Sequence, residues 1–226
     1  MQKFEYNIVY SARRSIGISV SPDKGVIVRA PYRTSMRTIQ RLVESKSGWI
    51  LKHIEKYSDL KRLNGSNDLT DGSIILYRGK EYTLRIYQSS GGKVEVNGNE
   101  IMLSVEAAWS IDKIKDLLRK WYEARAAEYF GARMYELLEK FARFGFSPTG
   151  LSIRTMRRRW GSCTSKGKIT LNSELIKLED IFADYVLLHE LCHLHHPNHG
   201  KEFYRLLGEV FPEWKSVRKR LGNYLS

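Results

Sequence analysis

The chain has 226 residues, 42% of them hydrophobic and 12% aromatic, which is typical of a globular protein and excludes a disordered chain. No apolar run approaches the ~20 residues of a membrane span, and two cysteines are too few for a disulfide scaffold, so we expect a cytoplasmic protein with no membrane partner. The net charge of +13 suggests an anionic partner such as nucleic acid, nucleotides or acidic proteins, or simply a well-solvated surface.

The first half of the chain reads as β-rich with one helix. Alternation of apolar and polar residues and turn-forming residues predict seven strands, at Phe4–Tyr10, Arg14–Val20, Val26–Ala30, Ile74–Tyr77, Glu81–Tyr87, Lys93–Val96 and Glu100–Val105. A helical rhythm predicts a helix over Thr34–Tyr57. Turns are expected at Pro22-Asp23, at Gly25, in the loop Asn64–Asp68, and as hairpins at Gly91-Gly92 and Asn97-Gly98. We assign residues 1–109 to this β-rich domain.

The second half is mainly helical and forms the predicted domain 110–226. Ser110 is a candidate N-cap for a long helix that runs to about Phe144 and ends at Gly145. The remaining predicted elements are a strand at Leu151–Met156, a loop at Arg159–Gly167, a strand at Lys168–Leu171, and helices at about Glu179–His195, His199–Val210 and Glu213–Leu221. The whole chain is therefore predicted to be an α+β protein.

The most informative pattern is a cluster of histidines. Five of the six histidines lie within the eleven residues from His189 to His199, and they include the motif H-E-x-x-H. Residues four apart share a helix face, so His189 and His193 can bind one ion, and neutral imidazole is the commonest protein ligand for Zn²⁺. Glu190 is rotated about 100° from His189 and can act as a general base without binding the ion.

A third ligand requires the chain to turn after the helix. Pro197 has no N–H and disfavours helical geometry in the residue before it, so His199 can swing back towards the metal. We expect His195 and His196 to face solvent or to support the ligands within that turn. The alternative is a histidine-rich surface helix that binds adventitious metal or none.

A second unusual stretch, Arg157 to Cys163, carries three consecutive arginines followed by Trp-Gly-Ser-Cys. Arginines at the end of a strand can hold phosphate or carboxylate, or they can simply be solvated. We expect Cys192, between the ligands, to be a buried thiol, and Cys163 to pack rather than bind the metal.

Together these residues resemble a known family. The strings Arg159-Trp-Gly-Ser-Cys163, Ile169-Thr-Leu-Asn172 and His189-Glu-Leu-Cys-His193, with Asn198-His199 and Phe203, resemble the YgjP-like metallopeptidases, which are similar to the SprT-like and WLM zinc proteases. The resemblance implies a minimal zincin-like (gluzincin-like) fold with a long helix, a short sheet and the H-E-x-x-H helix. It implies one Zn²⁺ per chain on His189, His193 and His199, with Glu190 as the catalytic residue. The metzincin pattern is rejected because His196 stands where that pattern has glycine.

The sequence therefore predicts a zinc metallopeptidase that cleaves peptides or proteins with a metal-activated water and Glu190 as general base. An extended peptide is expected to add to a sheet edge near the metal, at Lys168–Leu171 or Leu151–Met156. Candidate substrate-binding residues are Arg159, Trp160 and Tyr204. Two alternatives remain open: a metal-dependent hydrolase of nucleotides or phosphate esters, favoured by the arginines and the basic charge, and a nucleic-acid-binding module with a structural zinc.

Overall fold

The structure is a computed structural model that describes residues 4–21, 25–64, 69–156 and 158–224, with side chains omitted for residues 56–64. The predicted turn at Pro22-Asp23, the loop residues 65–68 and Arg157 lie outside the described residues. The chain divides into two compact units, residues 1–61 and residues 62–226. None of the described helices is both long enough and apolar enough to cross a membrane.

The first unit contains a three-stranded sheet and helices. Its elements are β1 (Asn7–Ser11), β2 (Gly17–Ser21), β3 (Gly25–Pro31), α1 (Met36–Ser45) and α2 (Ser47–Asn64). Strand β3 is central, parallel to β1 and antiparallel to β2, and its inward residues join Ile39, Val43 and Ile50 in a small core. The single predicted helix Thr34–Tyr57 is thus two helices. The break between them falls at Lys46, which lies between Ser45 and Ser47. Serine and the following Gly48 are poor helix formers, which favours the break here.

The second unit begins with a four-stranded sheet. Its strands are β4 (Ile74–Tyr77), β5 (Lys80–Gln88), β6 (Lys93–Asn97) and β7 (Glu100–Val105), in the order β4-β5-β7-β6. The hairpin predicted at Asn97-Gly98 is confirmed, because Asn97 pairs with Glu100 and Gly98 has a positive φ of 57°. The turn between β4 and β5 was not predicted. It places Arg78 at φ 49°, a conformation that arginine rarely adopts.

The hairpin predicted at Gly91-Gly92 is wrong. Strands β5 and β6 are not neighbours; β7 lies between them and runs parallel to β5, so residues 89–92 form part of a crossover. Gly92 serves close packing, because a Cβ there would overlap the Trp109 ring. A glycine pair indicates a special backbone but does not say which strands it joins.

The long helix α3 (Ile111–Lys140) follows this sheet. The predicted N-cap is confirmed: the Ser110 hydroxyl accepts a hydrogen bond from the backbone N–H of Lys113. After α3 a 3₁₀ turn over Ala142–Phe144 leads to Gly145, which has the left-handed conformation at φ 67°. The helical stretch therefore ends where the sequence predicts.

The predicted domain boundary after residue 109 falls inside the second unit. Leu84, Ile101 and Leu103 of the first predicted domain share one hydrophobic core with Phe130 of α3 and Phe182 further along the chain. The change from strands to helices at Ser110 marks a change of element, and the burial of the sheet face against these helices makes both parts one unit.

The third sheet lies next to the histidine helix. It comprises β8 (Gly150–Arg154), β9 (Gly161–Cys163) and β10 (Lys168–Asn172), in the order β8-β10-β9, and it precedes α4 (Asp180–Cys192), α5 (Lys201–Val210) and α6 (Trp214–Leu221). Lys168–Leu171 is therefore central, and the expectation that it forms an edge is wrong. The strand nearest α4 is β9, which falls in the predicted loop Arg159–Gly167. Three residues are too few to show a strand period in sequence.

Two arginines fix the position of α4. Arg78 at the β4–β5 turn donates to both oxygens of Asp180, at 3.1 and 2.6 Å, and Arg133 of α3 donates to both oxygens of Asp184, at 2.6 and 2.7 Å. Bidentate pairs of this kind add orientation as well as energy. The first two turns of α4 are thus fixed from two sides, before the histidines begin.

Candidate metal centre and active site

The histidine helix α4 is buried along most of its length. Leu187, Leu188 and Leu191 are at most 1% exposed, which holds the helix rigidly in the core. His189 and His193 lie one turn apart on the same face, with ring centroids 5.0 Å apart. The helix ends at Cys192, three residues before the predicted end at about His195, and His196 before Pro197 lies outside it. Sequence and packing together therefore present two imidazoles at the end of a rigid helix.

The turn after α4 returns a third imidazole to the same place. The Nε2 atom of His199 lies 2.9 Å from Nε2 of His189. One nitrogen from each of His189, His193 and His199 lies within 4.8 Å of the other two, a spacing at which three atoms can bind one metal ion. The structure thus brings together the three residues that the sequence predicts as ligands.

The surroundings of these rings suit metal binding. Nδ1 of His193 lies 3.0 Å from the carbonyl oxygen of His196, a contact that makes Nδ1 the protonated nitrogen and leaves Nε2 free. Phe203, fully buried, packs against all three imidazoles at 4.7–4.9 Å between ring centroids. Burial, with the neighbouring imidazoles, lowers the pKa of His189 to about 3, and burial also lowers the pKa of His199. Neutral imidazoles keep the lone pair that a metal ligand needs.

Glu190 lies beside these histidines and faces β9. It is 6% exposed, and a Cβ on Gly161 would lie only 2.6 Å from its Oε1 atom, so glycine is required for this approach. Burial raises the pKa of Glu190 to about 7, while the charge of Arg159 and a hydrogen bond from the Cys163 backbone lower it. The carboxylate is therefore held in a defined position against the edge strand and outside the histidine trio.

A cavity of about 820 Å³ opens over this group. The three histidines and Glu190 line one side, and β9 with the following turn lines the other. Arg159 and Lys166 are also among the residues that line the cavity. Its volume lies within the range of small-molecule and peptide sites.

Comparison with known proteins identifies the family. A family model described as YgjP-like, metallopeptidase domain, matches residues 14–224. The chain belongs to the YgjP-like metallopeptidase family. This confirms the resemblance seen in the sequence, and the predicted α+β architecture is confirmed as well.

Two solved structures are similar to part of this YgjP-like chain. One is the metallopeptidase zymogen of Pyrococcus abyssi abylysin, at 30% identity over 39% of this chain and 90% of that chain, with a TM-score of 0.35. The other is the metallopeptidase zymogen of Methanocaldococcus jannaschii jannalysin, at 21% identity over 41% of this chain and 92% of that chain, with a TM-score of 0.36. Comparison with curated proteins gives no match.

Membership of this family makes the YgjP-like chain a hydrolase of the peptidase class that acts on peptide or protein substrates with a metal ion. It gives no support to the nucleotide or nucleic-acid partners that the charge suggests.

The structure separates the three predicted substrate-binding residues. Arg159 lines the cavity. Trp160 is 8% exposed and belongs to the hydrophobic core, because the chain enters the sheet at this point and its ring points inward. Tyr204 stacks between His199 and Trp214, with centroids 6.1 and 4.8 Å away, and its hydroxyl accepts from Arg218. Tyr204 therefore packs against His199 and is not among the residues that line the cavity.

The other predicted residues of the YgjP-like site take varied places. Cys192 is fully buried, as expected, and Cys163 is half-buried on β9. His195 is exposed, with its Nε2 atom 2.9 Å from the carbonyl oxygen of Phe144. His196 supports His193 through its backbone. The expectation that His195 and His196 lie in the turn after α4 is confirmed.

Two supporting residues were missed. Phe203 packs the ligand rings, and buried Asn172 donates through its Nδ2 atom to the carbonyl oxygens of Met156 and Arg159, at 2.7 and 3.0 Å. Both belong to the strings that carry the family resemblance. Their spacing in the sequence, however, does not reveal that they approach the site.

Proposed function

We propose that this protein is a zinc-dependent metallopeptidase in which His189, His193 and His199 bind one Zn²⁺ and Glu190 is the general base. The proposal rests on the three imidazole nitrogens within 4.8 Å of one another, beside a buried carboxylate that is not part of the trio. Three imidazoles without a carboxylate or thiolate form a ligand set that suits a catalytic zinc, which also keeps a position open.

The metal and Glu190 have separate roles in the proposed reaction. Bound Zn²⁺ supplies Lewis-acid activation of water and of the substrate carbonyl. Glu190 accepts a proton from the attacking water and donates it to the departing amine. Its contact with Gly161 and Cys163 of β9 keeps the carboxylate in one orientation during both transfers.

We assign substrate alignment to β9. It is an edge strand, paired on one side with β10, and its other side borders the cavity. An extended peptide can add to such an edge through backbone hydrogen bonds, which holds a scissile carbonyl between the strand and the histidines. The partner is therefore a segment of peptide or protein in extended conformation.

The general-base assignment is tested with Glu190→Gln. This change keeps the size of the side chain and removes its capacity to accept a proton, so we expect zinc to stay at one per chain while peptide cleavage falls by at least about a hundredfold. Zinc is measured by mass spectrometry of metals, and cleavage with a peptide mixture. Cleavage at the wild-type rate would contradict the assignment.

The third ligand is tested with His199→Ala. A site with two imidazoles binds zinc much more weakly, so we expect the zinc content to fall well below one per chain after dialysis against a weak chelator. His195→Ala is the matched control, since this neighbouring histidine contacts Phe144 and should leave the zinc content unchanged. Stoichiometric zinc in the His199 variant would show that another residue completes the site.

The two alternatives to a peptidase have no comparable support. The nucleotide-hydrolase alternative depends on the arginine cluster, and the nucleic-acid-binding alternative depends on the net charge. The family comparison supports neither of them. Pyrophosphate release from nucleoside triphosphates, assayed with the same enzyme samples, would support the nucleotide hydrolase if the release required both zinc and Glu190.

A further inference from the structure

The cavity over the histidines has an unusual balance of charge. Apart from the histidines, its charged lining consists of two cations, Arg159 and Lys166, and one acid, Glu190. Glu190 is occupied by its contacts with β9. Among the described residues, the cavity lining away from Glu190 therefore carries positive charge and no carboxylate.

Neither Arg159 nor Lys166 forms an ion pair that stabilises the described part of the fold. Other arginines of this unit pair with carboxylates, as Arg78 does with Asp180 and Arg133 with Asp184. Within the ranges that the structure describes, Arg159 and Lys166 make no ion pair and no side-chain hydrogen bond. Their donors are exposed and available to a ligand.

Both side chains nevertheless stand on fixed backbone. The carbonyl oxygen of Arg159 accepts from the buried amide of Asn172 at 3.0 Å, and the next residue, Trp160, is anchored in the core. The carbonyl oxygen of Lys166 accepts from the Thr149 hydroxyl at 2.9 Å, within the turn between β9 and β10. A binding group on rigid backbone loses less entropy when it orders around a ligand.

The two cations lie at opposite ends of β9. Arg159 precedes the strand and is close enough to Glu190 to influence it electrostatically; Lys166 follows the strand. A peptide paired along Gly161–Cys163, with its scissile carbonyl near Glu190, would extend from the end of β9 that Arg159 precedes to the end that Lys166 follows, because a strand advances about 3.3 Å per residue. Arginine suits a carboxylate in particular, because its planar fork can bind both oxygens.

We propose that Arg159, assisted by Lys166, forms a carboxylate-binding subsite, and that the preferred substrates carry a carboxylate beside the scissile bond. This inference rests on the proposed peptidase function. The carboxylate has two possible sources, an Asp or Glu side chain or a free C-terminus. The first makes the enzyme an endopeptidase selective for acidic sequences, and the second makes it a carboxypeptidase-like enzyme.

The experiment begins with the zinc-loaded enzyme and a proteome-derived peptide mixture, with cleaved bonds identified by mass spectrometry. A cleaved peptide is then synthesised in matched forms, with Glu or Gln beside the bond and with a free or amidated C-terminus. We expect the wild type to prefer the charged form in one of these pairs by about tenfold in kcat/KM. The pair that shows the preference identifies the source of the carboxylate.

Variants then assign the preference to residues. Because the charge of Arg159 also lowers the pKa of Glu190, Arg159→Gln should slow both peptides, but it should slow the charged peptide about tenfold more and so abolish the preference. Lys166→Gln should reduce the preference less. Arg154→Gln is the control: this exposed arginine on β8 does not line the cavity, so removing the same charge there should preserve the preference. Equal loss on both peptides in Arg159→Gln, or no preference in the wild type, overturns the subsite.

A binding measurement separates the subsite from the reaction. Fluorescence polarisation of a labelled Glu-containing peptide and its Gln counterpart is measured on zinc-loaded Glu190→Gln, with and without Arg159→Gln. If the acidic peptide binds more tightly and this difference requires Arg159, the subsite is supported even when no peptide is cleaved. The absence of cleavage would then refute only the peptidase function. Cleavage without any charge preference, together with equal binding of the two peptides, refutes only the subsite.

Discussion

The contact between Gly161 and Glu190 yields the most exacting prediction, the effect of Gly161→Ala. A Cβ at this position would lie 2.6 Å from Oε1 and 2.8 Å from Cγ of Glu190, and 2.8 Å from Cγ1 of Val186, where ordinary contacts begin at 3.4 Å. The carboxylate must therefore move by about 0.8 Å, or β9 must retreat from α4. Neither side moves easily, because Val186 is 3% exposed and β9 is paired with β10 at Leu171, which is fully buried.

The displacement should act mainly on the chemical step. A shift of about 1 Å in a catalytic group can cost on the order of a hundredfold in rate, so we expect kcat to fall about a hundredfold. None of the three histidines is among the nearest atoms that this Cβ would meet, so zinc should stay at one per chain. Overpacking should also lower the free energy of unfolding by about 1–3 kcal/mol, and the assay is run well below the melting temperature for that reason.

Gly150→Ala is the matched control for this prediction. Gly150 lies on β8 of the same sheet, without a positive φ, and no heavy atom lies within 4 Å of the position of its Cβ. We expect its kcat and melting temperature to match the wild type closely. The reasoning is refuted if Gly161→Ala, folded and loaded with zinc, cleaves peptides as fast as Gly150→Ala does, because Glu190 would then not depend on its contact with β9.

Two further predictions concern stability. Asn172→Ala should lower the free energy of unfolding by at least about 2 kcal/mol, because it removes the hydrogen bonds to the carbonyl oxygens of Met156 and Arg159. Urea titration measures this loss, and an unchanged unfolding midpoint would contradict the prediction. Zinc at about a hundred times its dissociation constant should stabilise the folded state by about 2.7 kcal/mol, which raises the melting temperature by roughly 5–10 °C in calorimetry. His189→Ala should remove that zinc-dependent shift, and a shift that persists would mean that zinc binds elsewhere.

Local patterns were sufficient for much of the fold. The N-cap at Ser110, the helix end at Gly145 and the hairpin at Asn97-Gly98 are each encoded within a few residues, and all three occur as predicted. Capping and turn formation depend on backbone conformation and hydrogen bonds between neighbours, so sequence reasoning reaches them. The same reasoning failed at Gly91-Gly92, where the glycine serves contact with a distant tryptophan.

The metal site shows the same division. The four-residue spacing of His189 and His193 and the break at Pro197 determine by themselves that three imidazoles can converge, because helix geometry and the missing proline N–H act locally. Only the tertiary structure decided that β9 forms the edge beside Glu190, that Phe203 packs the ligand rings, and that Trp160 is buried while Arg159 remains free. These features depend on contacts between segments far apart in the chain, which no local periodicity records.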